Sequence, residues 1–215
     1  MNKYLREPIN GFTHLAGAVL SFIGLLALVI KTSLDNPSAL SLTAVIIFGI
    51  SMILLYTAST VYHLVISSDM VISWLRRLDH SMIFILIAGS YTPFCLIALN
   101  GPTGWALFAV IMTAAIAGVC FKLIWFNCPR WISTVIYVAM GWVSVLLIVP
   151  LYKAISLEGV ILLVGGGIFY TIGAVIYAVK PKFLKFKNFA YHEIFHVFIL
   201  LGTFTHYICV FKYVI

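Results

Sequence analysis

Charge is what this chain has least of. Only 9% of its 215 residues are Asp, Glu, Lys or Arg, and 63% are hydrophobic. A soluble domain carries roughly a quarter charged residues. This chain cannot cover a water-facing surface with polar groups, so a soluble globular fold is excluded. Cysteine pairing is absent as well. Cys95, Cys120, Cys128 and Cys209 form no CxxC motif. Three lie in apolar stretches and one in a short loop, which points to small buried side chains rather than disulfides or metal ligands. No loop is long enough for a second domain, and there is no low-complexity segment or clear internal repeat, so residues 1–215 read as one domain. No small-x-small cleavage site follows the first apolar run, which therefore reads as a retained helix rather than a signal peptide. The net charge of +7 would suit nucleic acid. The basic residues lie in short loops, however, and no aromatic-basic recognition motif accompanies them, so no nucleic-acid partner is expected.

What is present is apolar sequence in lengths that cross a bilayer, about twenty residues each. The pattern predicts an all-α integral membrane protein, a seven-transmembrane-helix bundle. Its spans fall near 12–31, 40–66, 78–99, 104–126, 132–152, 159–179 and 190–211. The breaks carry turn chemistry: Asp35-Asn36-Pro37, Ser67-Ser68-Asp69, Asn100-Gly101-Pro102, Asn127-Cys128-Pro129 and Lys180-Pro181-Lys182. The second span is longer than needed, and Pro93 is expected to kink the third. Gly165, Gly166, Gly167 and Gly173 give the sixth a smooth face for close packing. One side of the membrane receives ten basic residues: Lys3, Arg6, Arg76, Arg77, Lys122, Arg130, Lys180, Lys182, Lys185 and Lys187. The other receives three: Lys31, Lys153 and Lys212. The positive-inside rule then places the N-terminus in the cytoplasm and, after seven spans, the C-terminus outside.

With that topology the ionisable residues gather at the cytoplasmic ends, where charge is expensive and usually functional. His192 and His196 stand four apart, share a helix face and can reach one ion, although an interfacial, solvated pair would look the same. His63 lies at the same depth on the second span. Zinc favours imidazole nitrogen, and three protein ligands plus water make an open, catalytic site. His63, His192 and His196 are the expected ligands. Asp79 can hold the water and accept its proton, or simply cap the third helix. Ser59, one turn deeper than His63, can donate to a substrate carbonyl or bond back to its own helix. Glu7, Asn10 and His14 form one stripe, available for outer hydrogen bonds to the metal ligands or as a solvated helix start. His192-Glu193-Ile194-Phe195-His196 also matches HExxH, the zinc-protease helix. The third ligand of the extended form is missing: Gly202 occupies its place. His206, ten positions on, lies about 15 Å along the axis. Glu193 therefore reads as a supporting charge, and His206 as a buried, hydrogen-bonded core histidine. His80, directly after Asp79, points elsewhere.

The segments Glu7-Pro8-Ile9-Asn10-Gly11-Phe12-Thr13-His14, Ser59-Thr60-Val61-Tyr62-His63, Asp79-His80, Gly89-Ser90-Tyr91-Thr92-Pro93 and His192-Glu193-Ile194-Phe195-His196 together resemble the hemolysin III family. This is the bacterial branch of the progestin and adipoQ receptor group. The resemblance runs in order over essentially the whole chain. It implies a seven-helix bundle in the cell membrane with zinc near the cytoplasmic face, held by His63, His192 and His196, with Asp79 and Ser59 beside it. The wider superfamily includes alkaline ceramidases, which cleave lipid amides. Three functions are therefore in view. The first is a zinc-dependent hydrolase of a lipid amide or ester serving membrane homeostasis, with a membrane lipid as substrate. The second is a receptor-like regulator with structural zinc. The third is a hemolysin-type pore, which the sequence supports least because its polar residues cap one side and form no stripe through several spans.

Overall fold

The structure is a computed structural model that describes residues 4–181, 184 and 190–215. Of the basic residues that set the expected orientation, Lys3, Lys182, Lys185 and Lys187 lie outside the described residues. The described residues form helices and no strand: α1 (Pro8–Asp35), α2 (Ala39–Leu64), α3 (Asp69–Pro93), α4 (Pro102–Ile124), α5 (Arg130–Trp142), α6 (Ile148–Val179) and α7 (Tyr191–Cys209). Short π-helical turns extend α3 to Ala98 and α7 to Val214, and a 3₁₀ turn over Val143–Leu147 joins α5 to α6. Among them, six helical runs are long and apolar enough to cross a membrane.

Local chemistry accounts for the starts. Pro8 and Pro102 open α1 and α4 at first-turn positions, where the missing N–H costs nothing. Gly101, at φ 116, takes the positive-φ turn before α4 that a side chain would resist. Ser38 caps α2, its Oγ accepting from Ser41 N at 3.0 Å. At Pro93 the α-helical ladder loses a donor, and the chain passes into the π turn, where Leu99 N donates to Phe94 O at 2.9 Å.

Two boundaries differ from the sequence pattern. The third span was expected from residue 78, but α3 begins at Asp69, directly after the Ser67-Ser68 break. An amphipathic stretch containing Arg76 and Arg77 adds more than two turns before the apolar part. Asp79 is consequently not a helix cap; it lies in the third turn and is buried. The fifth and sixth spans follow one another from Arg130 to Val179, 50 residues without an intervening loop but with a break at Ser156. At about 1.5 Å per residue that is roughly 75 Å, more than twice the hydrocarbon thickness. The run is not straight. Ser156 sits at φ 63, ψ 177, far from helical values. Trp142 Nε1 donates to Thr171 Oγ1 at 2.9 Å, and the Arg130 guanidinium lies 5.7 Å from the Tyr177 ring centre. The chain therefore doubles back at Ser156, between the two expected spans.

Packing is centred on α2 and α3. Phe48, Met52, Tyr56 and Phe84 are almost fully enclosed, whereas Leu20, Ile30, Ile116, Leu146 and Phe204 face outward in numbers that only lipid would tolerate. The cysteines are free; Cys95, Cys128 and Cys209 are buried as expected, but Cys120 is exposed on the outer face of α4. Within the glycine run, only Gly166 is pressed against a neighbour: a Cβ there would lie 2.2 Å from His206 Cδ2, while at Gly165 the nearest atom is 3.9 Å away. His206 in turn donates from Nε2 to Leu163 O at 2.9 Å, one of several buried contacts between α6 and α7. Gly166→Ala should thus lower stability by about 1–3 kcal/mol, and Gly165→Ala should leave it nearly unchanged. Thermal unfolding of the two variants in detergent checks this, and equal melting temperatures would refute the close approach.

Candidate metal centre

Two helices bring their histidines together at one end of the bundle. His63 occupies the last turn of α2. His192 and His196 occupy the first two turns of α7, on one face. Their ring centroids are 5.0 Å apart for His63–His192, 4.9 Å for His63–His196 and 4.8 Å for His192–His196. One nitrogen from each ring falls within 4.8 Å of the others. That is the spacing of donors that can share a divalent cation. His63 and His196 are almost completely buried, and His63 Nε2 and His196 Nδ1 have no hydrogen-bond partner. A buried polar atom without a partner costs free energy on the order of 1–3 kcal/mol. A cation among these rings would remove that cost.

The start of α1 organises the site. Glu7 N–H donates to His63 O at 2.9 Å and Arg6 N–H to Leu64 O at 3.3 Å, which fastens the chain to the end of α2. The Glu7 carboxylate then accepts from His63 Nδ1 at 2.6 Å. This hydrogen bond, helped by the charges of His63 and Arg6 and opposed by partial burial, holds the Glu7 carboxyl at about 2, well below its ordinary value of 4.5. An ionised carboxylate can only accept, so His63 Nδ1 carries a proton, which leaves Nε2 as the ring atom that would face a metal. A carboxylate behind a ligating imidazole fixes its tautomer and orientation. Asn10 joins the same system: its Nδ2 donates to Glu193 Oε1 at 3.1 Å and to Glu7 Oε2 at 3.4 Å. Glu193 Oε2 meanwhile accepts from Ala190 N at 2.9 Å, capping the start of α7. Glu193 is thus a supporting group that ties α7 to α1. His14 lies flat on His196, with ring centroids 3.7 Å apart and planes inclined by 10°.

A cavity of about 140 Å³ opens beside the histidines. Ser59, Asp79, His192 and His196 stand on its wall, and it extends past Tyr91 and Trp142 as far as His206. Ser59 Oγ is buried. It does not bond back to its own helix; it stands beside the Asp79 carboxylate, with which it interacts on the cavity wall. The structure therefore brings His63, His192 and His196 together, places Glu7, Asn10 and His14 around them, and puts Ser59 and Asp79 on the adjoining wall. Two further histidines line the cavity but take no part in the cluster. His80 packs against Phe126, and its carbonyl accepts from Tyr137 OH at 3.0 Å. His206 sits at the far end of the cavity.

One group on the wall was not foreseen from the sequence. Lys122, counted there only as a loop charge, is 3% exposed and donates to Ser133 Oγ and to Cys128 Sγ, the latter at 3.6 Å. Its position at the end of an apolar run carried no signal of burial.

Comparison with known proteins places this arrangement. A family model described as "Haemolysin-III related" matches residues 2–207. The chain is 41% identical over 218 residues to "Hemolysin-3" of Bacillus cereus, covering 100% of this chain and 95% of that relative. It is 37% identical over 207 residues to "Hemolysin-3 homolog" of Bacillus subtilis (strain 168), covering 96% and 93%. A more distant likeness, 26% identity over 178 residues, links it to the human "Monocyte to macrophage differentiation factor", covering 78% and 68%.

The Glu7–His63 bond yields a pH dependence of defined sign. A carboxyl whose value falls on folding stabilises the fold above its unfolded value and loses that effect as pH drops towards its folded value. Wild type should melt higher than Glu7→Gln by a constant margin at neutral pH. That margin should shrink between about 4.5 and about 2. A margin that persists unchanged through acid would show that the carboxylate charge is not what holds His63.

Proposed function

The chain belongs to the haemolysin-III family, and from that premise we propose that it is a zinc-dependent hydrolase of a lipid amide or ester in the cell membrane. The observation that carries the proposal is the meeting of His63, His192 and His196 with two buried ring nitrogens turned to no other partner. His63, His192 and His196 would hold the ion, His63 through Nε2 because its Nδ1 is bound to Glu7. When bound, zinc supplies Lewis acidity, which polarises a carbonyl and makes water a competent nucleophile near neutral pH.

The chain's own groups do the rest. Asp79 accepts the proton of the attacking water at a carboxylate oxygen and returns it to the departing nitrogen or oxygen. Ser59 Oγ–H donates to the carbonyl oxygen as negative charge grows there. The mostly apolar cavity receives hydrocarbon and keeps bulk water from the reacting carbon. The products are a carboxylic acid and an amine or alcohol. The reversal at Ser156 supports counting the 50-residue run as two crossings, which makes seven. With the basic residues at the histidine end, the positive-inside rule supports a cytoplasmic N-terminus, an external C-terminus and a site near the cytoplasmic leaflet. Substrate then enters from the bilayer.

A second reading has its own support. Glu7, Asn10 and Glu193 bind α1, α2 and α7 into one network around the histidines, which suits a metal that clamps helices in a receptor-like regulator. No comparable feature favours a pore.

Purified protein separates the two readings. One zinc per chain is expected, lost in His63→Ala and His196→Ala. Asp79→Asn should keep the metal while fatty-acid release from a panel of N-acyl and ester lipids falls about 10²–10⁴-fold. Full metal occupancy with no turnover on that panel, and unfolding on chelation, would favour the structural clamp. Metal-free wild-type protein would defeat both.

A further inference from the structure

Lys122 poses a problem that the hydrolase reading does not use. A buried ammonium costs several kcal/mol unless paired, and Lys122 is buried at the cavity wall among other cations. Arg76 and Arg130 line the same cavity. The Arg76 guanidinium lies 5.0 Å from the Phe126 ring centre and Lys122 Nζ 5.9 Å from it. Aromatic faces, rather than carboxylates, stand opposite these charges. The ion pairs among the described residues are Arg6–Glu7, Lys31–Asp35 and His63–Glu7, and all six acidic side chains of the chain are described. Asp79 stands on the same wall but lies within 4 Å of none of the three. Asp79 acts on Arg76 through space, so one carboxylate is set against three cations and this end of the cavity keeps an excess of positive charge.

Backbone adds to it. Pro129 precedes α5, so no side chain caps that helix, and the partial positive charge of its first turn sits between Arg130 and Ser133. Helix N-termini with a nearby cation form anion sites. Orientation alone would explain basic residues in water-exposed loops; it does not explain a lysine 3% exposed and turned onto Ser133.

We propose that this end of the cavity binds a phosphate group, held by Lys122, Arg76, Arg130 and the first turn of α5. The apolar remainder of the cavity, reaching past Trp142, then takes a hydrocarbon chain. The substrate class becomes an acyl lipid bearing a phosphate ester. This deepens the hydrolase reading and rests on it for the word substrate; the anion site itself does not.

Native mass spectrometry of the full chain in neutral detergent tests it, with dioleoyl phosphatidate, dioleoylglycerol and inorganic phosphate as probes. Phosphatidate should bind at least about tenfold tighter than dioleoylglycerol, as expected of charge-assisted hydrogen bonds. Lys122→Gln should remove most of that preference and Lys122→Arg restore much of it. Arg130→Gln, at an exposed position, weakens it without a folding cost. Lys180→Gln, outside the cavity, should change nothing. Zinc content of the Lys122→Gln sample should match wild type, so a lost phosphate preference is separable from a lost metal site. Phosphatidate far tighter than inorganic phosphate assigns the site to a lipid; equal affinities assign the same site to a soluble phosphate ester. Equal binding of phosphatidate and dioleoylglycerol to wild type, or an undiminished preference in both Lys122→Gln and Arg130→Gln, would overturn the proposal.

Discussion

Imidazole nitrogens buried at the end of an apolar bundle must find a partner, and the rest of this structure is arranged around that need. His63 and His196 are enclosed, each with a ring nitrogen that no donor or acceptor reaches. Two helices far apart in sequence therefore terminate or begin at the same point, so that their histidines face one another. A shared cation is the simplest way to satisfy the two orphaned nitrogens, His63 Nε2 and His196 Nδ1, with His192 beside them.

The N-terminal segment converts that meeting into a rigid one. Its backbone is hydrogen-bonded to the last residues of α2, its Glu7 carboxylate fixes the His63 tautomer, and Asn10 reaches Glu193 on α7. His14 covers the exposed face of His196. At the other end of the same cavity, the Gly166 contact with His206 keeps α6 tight against α7. The cavity is thus bounded by polar and charged groups near the metal-competent end and by a single buried histidine at the far one. Its two proposed roles, cleavage beside the histidines and anion capture beside Lys122, use adjacent stretches of one wall.

The i, i+4 pair His192/His196 was legible because a helix repeats every 3.6 residues and places both rings on one face. His63 was legible from its depth at a span end. The Glu7 stripe was legible as a pattern but not as a bond, since nothing in the sequence says that residue 7 docks on residue 63. The start of α3 was misplaced because Arg76 and Arg77 read as a loop, whereas an amphipathic turn can carry arginines on a helix without a break. Lys122 was missed for the opposite reason: a charge at a span end reads as solvated, and its burial depends on α5 and the Cys128 loop folding over it. The seventh-helix boundaries are close to expectation, and the reversal at Ser156 falls where the polar residues around Lys153 and Glu158 interrupt the apolar run.

The central claim concerns what the three imidazoles hold. X-ray absorption at the zinc edge of the purified chain reads the ligand set directly. Three nitrogen scatterers with the multiple-scattering pattern of imidazole, at about 2.0–2.1 Å, and a loss of one such scatterer in His63→Ala, are the predicted result. A spectrum with sulfur ligands, with fewer than two imidazoles, or unchanged in that variant would contradict it.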